Sequence, residues 1–221
     1  MRRQQRVEFP QGEFKMKKSS KNSALSIAQL AILVALIFVM QYIGTLASTP
    51  LKAAGIELSF VLLPIVIGAF LLGPFEGGVL GFVFGAMTVV LTILAPGSMT
   101  YILFESNPFM YIVVAMTKAT AAGLGSALIY KGLDKLFKGR FVYLRTTIAA
   151  ASAPIINTGI FLLGMELFFK DVISEKWAGD QNIIVFLVGL IWINFLIEFA
   201  INVALTPAIV RIVEVVKKKF K

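Results

Sequence analysis

The chain has 221 residues, of which 58% are hydrophobic and 15% charged, with a net charge of +9. A soluble domain averages about 45–50% apolar and about 25% charged, so this composition argues against a water-soluble enzyme and against a disordered chain. The basic excess sits in three blocks between long apolar runs, a membrane-protein pattern, and does not suggest a nucleic-acid partner. The chain has no Cys and no His, which removes disulfides, thiolate chemistry and the commonest general base and transition-metal ligand. No Gly-Lys dipeptide occurs, so there is no P-loop. No catalytic constellation, metal site or cofactor is expected.

A membrane-crossing helix needs about 20 apolar residues for about 30 Å of hydrocarbon. The first predicted span is Ser23 to Ala47. The run from Leu58 to Leu94 contains Gly73-Pro74. Proline cannot continue the helical hydrogen-bond ladder, so the run divides there. This gives a short second helix, Leu58 to Leu72, shielded by protein or crossing incompletely, and a third from Pro74 to Leu94. The fourth is Pro108 to Tyr130, the fifth Thr146 to Phe169, and the sixth Asn182 to Val213, long enough to tilt or to extend beyond the membrane. The expected architecture is an all-α integral membrane protein with six transmembrane helices in one bundle. A basic arm covers residues 1–22, the bundle 23–215 and a basic tail 216–221. The first apolar run is too long for a cleaved signal peptide, and no small-residue cleavage site follows it. Met16 opens the string MKKSSKN and is a second possible start.

Lys and Arg counts give the orientation. The N-terminal arm has seven: Arg2, Arg3, Arg6, Lys15, Lys17, Lys18 and Lys21. The loop between the fourth and fifth spans has five: Lys131, Lys135, Lys138, Arg140 and Arg145. The C-terminus also has five: Arg211, Lys217, Lys218, Lys219 and Lys221. The other side has only Lys52, Lys170 and Lys176. An even number of spans places all three blocks together, so both termini are expected in the cytoplasm.

Gly77, Gly81 and Gly85 lie four apart on the third span, and Ala119, Gly123 and Ala127 repeat that spacing on the fourth. Small faces let helices approach closely in lipid, and internal packing is the expected use. The first span carries Ala24 and Ala28, then Ala31 and Ala35. Spacing alone leaves open whether these alanines pack within the chain or receive a helix from another subunit.

Ionisable and amide groups within spans are costly and usually face a cavity or a partner. The sixth span carries Asn194, Glu198 and Asn202 as one polar stripe. The fifth carries Asn157 and, nearer the outer end, Glu166; the fourth carries Lys118. Lys118 and Glu198 either neutralise each other or, with the amides, line a solute site. Trp192 lies about 15 Å into the sixth span, deeper than an interfacial belt. With Tyr111 it would enclose a small molecule or simply face lipid. The loop Ala95 to Asn107 holds Tyr101, Phe104, Glu105 and Asn107; Leu46 to Glu57 holds Pro50 and Lys52; Lys170 to Asp180 holds Trp177. These loops either close over a ligand or are ordinary solvated connections.

Several segments together resemble the substrate-binding membrane subunits (S components) of energy-coupling factor transporters, which import vitamins in prokaryotes. They are LAILVALIFVM with Ala31 and Ala35, LLPIVIGAFLLGPFEGGVLGFVFGAMT from Leu62 to Thr88, APIINTGIFLLG, and IEFAINVALTPAIV. LPIVIGAFLLGP, Asn157-Thr158 and Glu198 followed by Pro207 are most similar to the pantothenate branch. Folate, riboflavin and pyrimidine- or thiamine-precursor subunits share the architecture. The resemblance implies a six-helix bundle in the prokaryotic plasma membrane, with an outer pocket from the fourth to sixth helices capped by loops. It implies association with a transmembrane coupling subunit and two cytoplasmic ATPases, and a toppling transport cycle. Ala31 and Ala35 would be coupling contacts, with Ala24 and Ala28 one register earlier. Lys118 would pair with a pantothenate carboxylate, and Asn157 and Asn194 would bond its amide or hydroxyls. Glu198 suits a neutral or cationic heterocycle better. The competing functions are an ion-coupled secondary transporter acting alone, with Lys118 and Glu198 as the coupling pair, and a scaffold without a ligand. No inverted repeat supports the first of these.

Overall fold

The structure is a computed structural model that describes residues 18–48 and 60–219. Most of the expected basic arm and residues 49–59, with Pro50 and Lys52, lie outside the described residues. Among the described residues every regular element is helical. The elements are α1 (Lys18–Ser48), α2 (Leu62–Leu71), α3 (Pro74–Ile93), α4 (Met99–Ser106), α5 (Pro108–Leu136), α6 (Val142–Phe168), α7 (Lys170–Ile173), a π-helical turn (Ser174–Ala178), α8 (Ile183–Ala204) and α9 (Thr206–Lys219).

Five of these helices are long and apolar enough to cross a membrane: α1 over Ala24–Gly44, α3, α5, α6 and α8. The ten-residue α2 is shorter, about 15 Å against about 30 Å of hydrocarbon. Its residues from Pro64 to Phe70 are all buried, so protein rather than lipid surrounds it. Gly73 and Pro74 divide α2 from α3 as the sequence predicts. Gly73 adopts φ +130°, a conformation that side-chain-bearing residues rarely reach, and Pro74 occupies the first turn of α3.

Local capping fixes the starts of α4, α5 and α8. Ser98 Oγ accepts from the Tyr101 N–H at 3.1 Å, Asn107 Oδ1 from Met110 at 3.1 Å, and Asn182 Oδ1 from Val185 at 3.2 Å. The Ser98 cap turns most of the expected Ala95–Asn107 loop into α4. Lys170–Asp180 is likewise largely helical, as α7 and the π-helical turn.

The predicted sixth span is two helices. Pro207 lacks the N–H that would bond to the Val203 carbonyl, and α8 closes at Leu205, whose N–H bonds to Ile201 and Val203. Thr206 then begins α9, an amphipathic helix that buries Ile209, Val210 and Val213. The fourth and fifth spans also run longer than predicted, to Leu136 and back to Val142, and Lys18–Lys21 form the first turn of α1. Arg145, expected in a loop, is therefore a buried residue of α6.

The closest helix contact joins α3 and α5. A Cβ placed on Gly77 would lie 2.8 Å from the Gly123 carbonyl oxygen, and one on Gly85 2.8 Å from that of Ala115. Gly81 abuts the Ala119 carbonyl, and Gly123 that of Gly77. The small-residue stripes pack against each other within the chain. Lipid offers no hydrophobic gain for burying one apolar helix against another, so this backbone proximity supplies dispersion contacts that larger residues would prevent.

Buried side chains form two apolar clusters. One gathers α1, α2, the middle of α3, α5 from Ala119 to Tyr130, α6 from Ala149 to Ala153, and α9. The other gathers Leu103 of α4, α5 from Tyr111 to Ala115, Met165 and Phe169, Ile173, Ala178, and Ile183 and Leu187 of α8. In the second cluster Tyr111 is 4% exposed. Its hydroxyl lies 2.8 Å from the Thr92 hydroxyl, and its ring meets Phe104 and Phe169 edge-on.

Gly81→Leu should destabilise the bundle by at least about 2 kcal/mol, since backbone rather than a flexible side chain opposes the new atoms. Gly132→Ala, with nothing within 4 Å of the new methyl, should leave stability unchanged or slightly raised. Thermal unfolding of both variants in detergent, beside the unsubstituted protein, measures the contrast.

Candidate functional site

A polar belt lies between the two apolar clusters. On α5, Lys118 falls between Ala115 of one cluster and Ala119 of the other. On α6, Asn157 falls between Ile156, packed on the first cluster, and Phe161, packed on the second. The Lys118 ammonium sits 4.7 Å from the centre of the Phe161 ring, a cation–π geometry. Phe161 is one helical turn from Asn157, so Lys118 and Asn157 address one face of α6.

The neighbouring contacts give the register. A methyl on Gly164 would meet Val114, and one on Gly125 would meet Ile156, which fixes α5 antiparallel to α6 with Lys118 opposite Phe161. Thr147 Oγ1 donates to Thr206 Oγ1 at 3.3 Å, which fixes the near end of α6 against the α8–α9 junction. Counting along both antiparallel helices from that contact places Asn157 level with the stretch between Asn194 and Glu198. Lys118, Asn157, Asn194 and Glu198 therefore lie within about two helical turns of one another in depth, with Lys118 nearest the α4 end.

Asn157 is 8% exposed, and its Oδ1 is buried with no hydrogen-bond partner among the described residues. An acceptor buried without a donor costs about 1–3 kcal/mol, so a ligand hydroxyl or N–H would be favoured there. Asn194 and Glu198 are half-buried. Asn202, 2% exposed, ends the stripe. Its Nδ2 donates to the Glu198 carbonyl at 2.9 Å, while its Oδ1 is a second buried acceptor without a partner.

The other expected site residues lie elsewhere. Tyr111 is in the apolar cluster at the α4 end, and its hydroxyl is engaged by Thr92. Trp192 is level with Phe161 but 48% exposed. Asn107 caps α5 with its side-chain oxygen. Tyr101 and Glu105, one turn apart on α4, interact with each other. The hydrogen bond to the Glu105 carboxylate, reinforced by its charge, raises the Tyr101 pKa above its ordinary value of 10.0, so this hydroxyl stays protonated at neutral pH. Glu166, near the C-terminal end of α6, is 3.9 Å from Lys170. Thr92 and Phe161 were missed by sequence reasoning. Phe161 has a periodic signal, four residues after Asn157; Thr92 has none, because its contact to Tyr111 is tertiary.

On α1, Leu33 and Ile37 face the bundle, whereas Ala24, Ala28, Ala31 and Ala35 are all exposed. These alanines do not pack within the described chain.

Comparison with known proteins gives two matches. Residues 25–210 match the family described as ECF transporter, substrate-specific component. The chain is also 28% identical over 201 residues to the "Pantothenic acid transporter PanT" of Lactococcus lactis subsp. cremoris (strain MG1363), covering 86% of this chain and 94% of that protein. With apolar helices in the right number for a multi-pass bundle and a family match over most of its length, the chain is a transport protein rather than an enzyme, and it belongs to the substrate-specific components of ECF transporters.

Proposed function

We propose that the protein captures a vitamin from outside a prokaryotic cell, with pantothenate the best fit, and delivers it by docking to a transmembrane coupling subunit served by two cytoplasmic ATPases. In this reading α2 completes a sixth crossing and both termini are cytoplasmic, in line with seventeen basic residues on one side against three on the other. The polar belt carries the proposal, above all the buried Asn157 Oδ1 that has no donor among the described residues.

The chemistry of pantothenate suits the order of groups along the belt. Its carboxylate would lie toward Lys118, its amide at Asn157 and Asn194, and its hydroxyls deeper, where Glu198 accepts hydrogen bonds. The depth separating Lys118 from Glu198 keeps the two carboxylates apart. Tyr111, Trp192, Asn107, Glu105 and Tyr101 would form the outer wall and cover above the belt. The name of the Lactococcus relative supports the same substrate. The chain has no P-loop, in keeping with ATP hydrolysis on partner chains. The exposed alanines of α1 offer them a flat face, since small residues admit a partner helix at close range.

Lys118→Ala should weaken pantothenate binding to the purified protein by at least about tenfold, the loss expected for a charge-assisted bond in a desolvated site. Equilibrium binding of radiolabelled pantothenate measures it, and unchanged affinity removes Lys118 from the site. Ala31→Trp and Ala35→Trp should abolish cellular uptake while leaving that affinity intact. Parallel loss of binding and uptake would contradict the docking role of α1.

A further inference from the structure

At the end of the bundle opposite α4, a cavity of about 320 Å³ opens between the end of α5, the start of α6 and α9. The exposed face of α9 beside it carries Arg211 together with Glu214 and Lys218. Arg145 lines the first cavity and is only 9% exposed. Its guanidinium is ion-paired with Asp134 through one terminal nitrogen and lies 5.4 Å from the centre of the Tyr130 ring. Its Nε and Nη1 are both buried, and neither makes a hydrogen bond among the described residues. A guanidinium has five N–H donors, and one carboxylate can take up two at most. Arg145 is therefore paired with Asp134, has donor capacity to spare, and lines the cavity.

The charges around the cavity favour an anion. Three cations, Arg145, Arg211 and Lys218, stand against two carboxylates, Glu214 and Asp134. Lys131, Lys135, Lys138 and Arg140 lie on the adjacent end of α5 and its following turn. Val142, Val210 and Val213 supply apolar walls. A cationic floor under apolar walls, at the surface end of a membrane bundle, matches a phosphate carrying an apolar remainder. Arg145 is twelve residues from Asn157, about 18 Å along α6, so this cavity is separate from the polar belt.

We propose that the Arg145–Lys218 cavity is a phosphate-binding site that holds the headgroup phosphate of an anionic phospholipid at the membrane surface. The site is independent of the transported substrate. A soluble phosphate compound presents the same oxygen atoms, so the test separates the two sources.

The full-length protein, purified in detergent, is incubated with phosphatidylglycerol, with phosphatidylcholine or with inorganic phosphate, and read by native mass spectrometry and thermal unfolding. Phosphatidylglycerol should be retained in preference to phosphatidylcholine. Arg145→Lys keeps a cation for Asp134 but removes the Nε donor; Lys218→Ala removes an exposed charge without touching the core. Each should reduce phosphatidylglycerol retention by about tenfold. Should Arg145→Lys fail to fold, Lys218→Ala carries the test alone. Stabilisation by inorganic phosphate equal to that by phosphatidylglycerol, and lost in the same variants, would assign the site to a soluble phosphate. Unchanged lipid retention in the folded variants, with no response to inorganic phosphate, would overturn the proposal.

Discussion

A lysine within a membrane helix constrains everything packed around it. An ammonium in an apolar bundle is costly unless polar groups share its depth, and here they do. Lys118 lies on the face of Phe161, and Asn157, Asn194 and Glu198 lie within about two helical turns of it in depth. The two apolar clusters stop on either side of that belt. In a purely structural bundle the clusters would be expected to merge across α5 and α6, since uninterrupted packing is cheaper than a polar layer. The gap between them, where the Asn157 amide oxygen still lacks a donor among the described residues, is where the fold departs from its own packing logic.

The rest of the molecule divides into a rigid part and an exposed part. The glycine faces of α3 and α5 bring backbone against backbone, and α6 packs on the other side of α5. Side chains in such contacts have little room to shift. Above the belt, α4 and the π-helical turn cover the bundle, and Tyr111 joins them to α3 through Thr92. By contrast, α1 and α8 bury only a small share of their apolar length. A subunit that must both hold a solute and meet another chain needs both properties. The α3–α5–α6 core can keep the belt fixed, and α1 can present its alanines outward.

The features legible in the sequence were those governed by local chemistry. The Gly73-Pro74 break follows from one φ angle and one missing N–H, and the glycine stripe from a four-residue period. The stripe of Asn194, Glu198 and Asn202 is likewise a helical period that needs no tertiary information. What could not be read depended on contacts between distant segments. The joint depth of Lys118, Asn157 and Glu198 requires the register of three helices, which the turns at their ends and the Thr147–Thr206 contact set. The burial of Arg145 depended on α6 starting one turn earlier than its apolar run. The break at Leu205 was readable in principle from Pro207, but the continuous hydropathy on either side concealed it. The helix α4 is only two turns long, and its Ser98 cap is a weaker signal than the polar residues around it.

Native mass spectrometry of the full-length protein, isolated from cells grown with pantothenate, tests the central claim most directly. A bound species with the mass of pantothenate should be present, and it should disappear in a folded Asn157→Leu variant, which removes the open acceptor but keeps the volume. A protein that carries no small molecule and acquires none from a vitamin panel, or an adduct that survives Asn157→Leu undiminished, would contradict a substrate site in the polar belt.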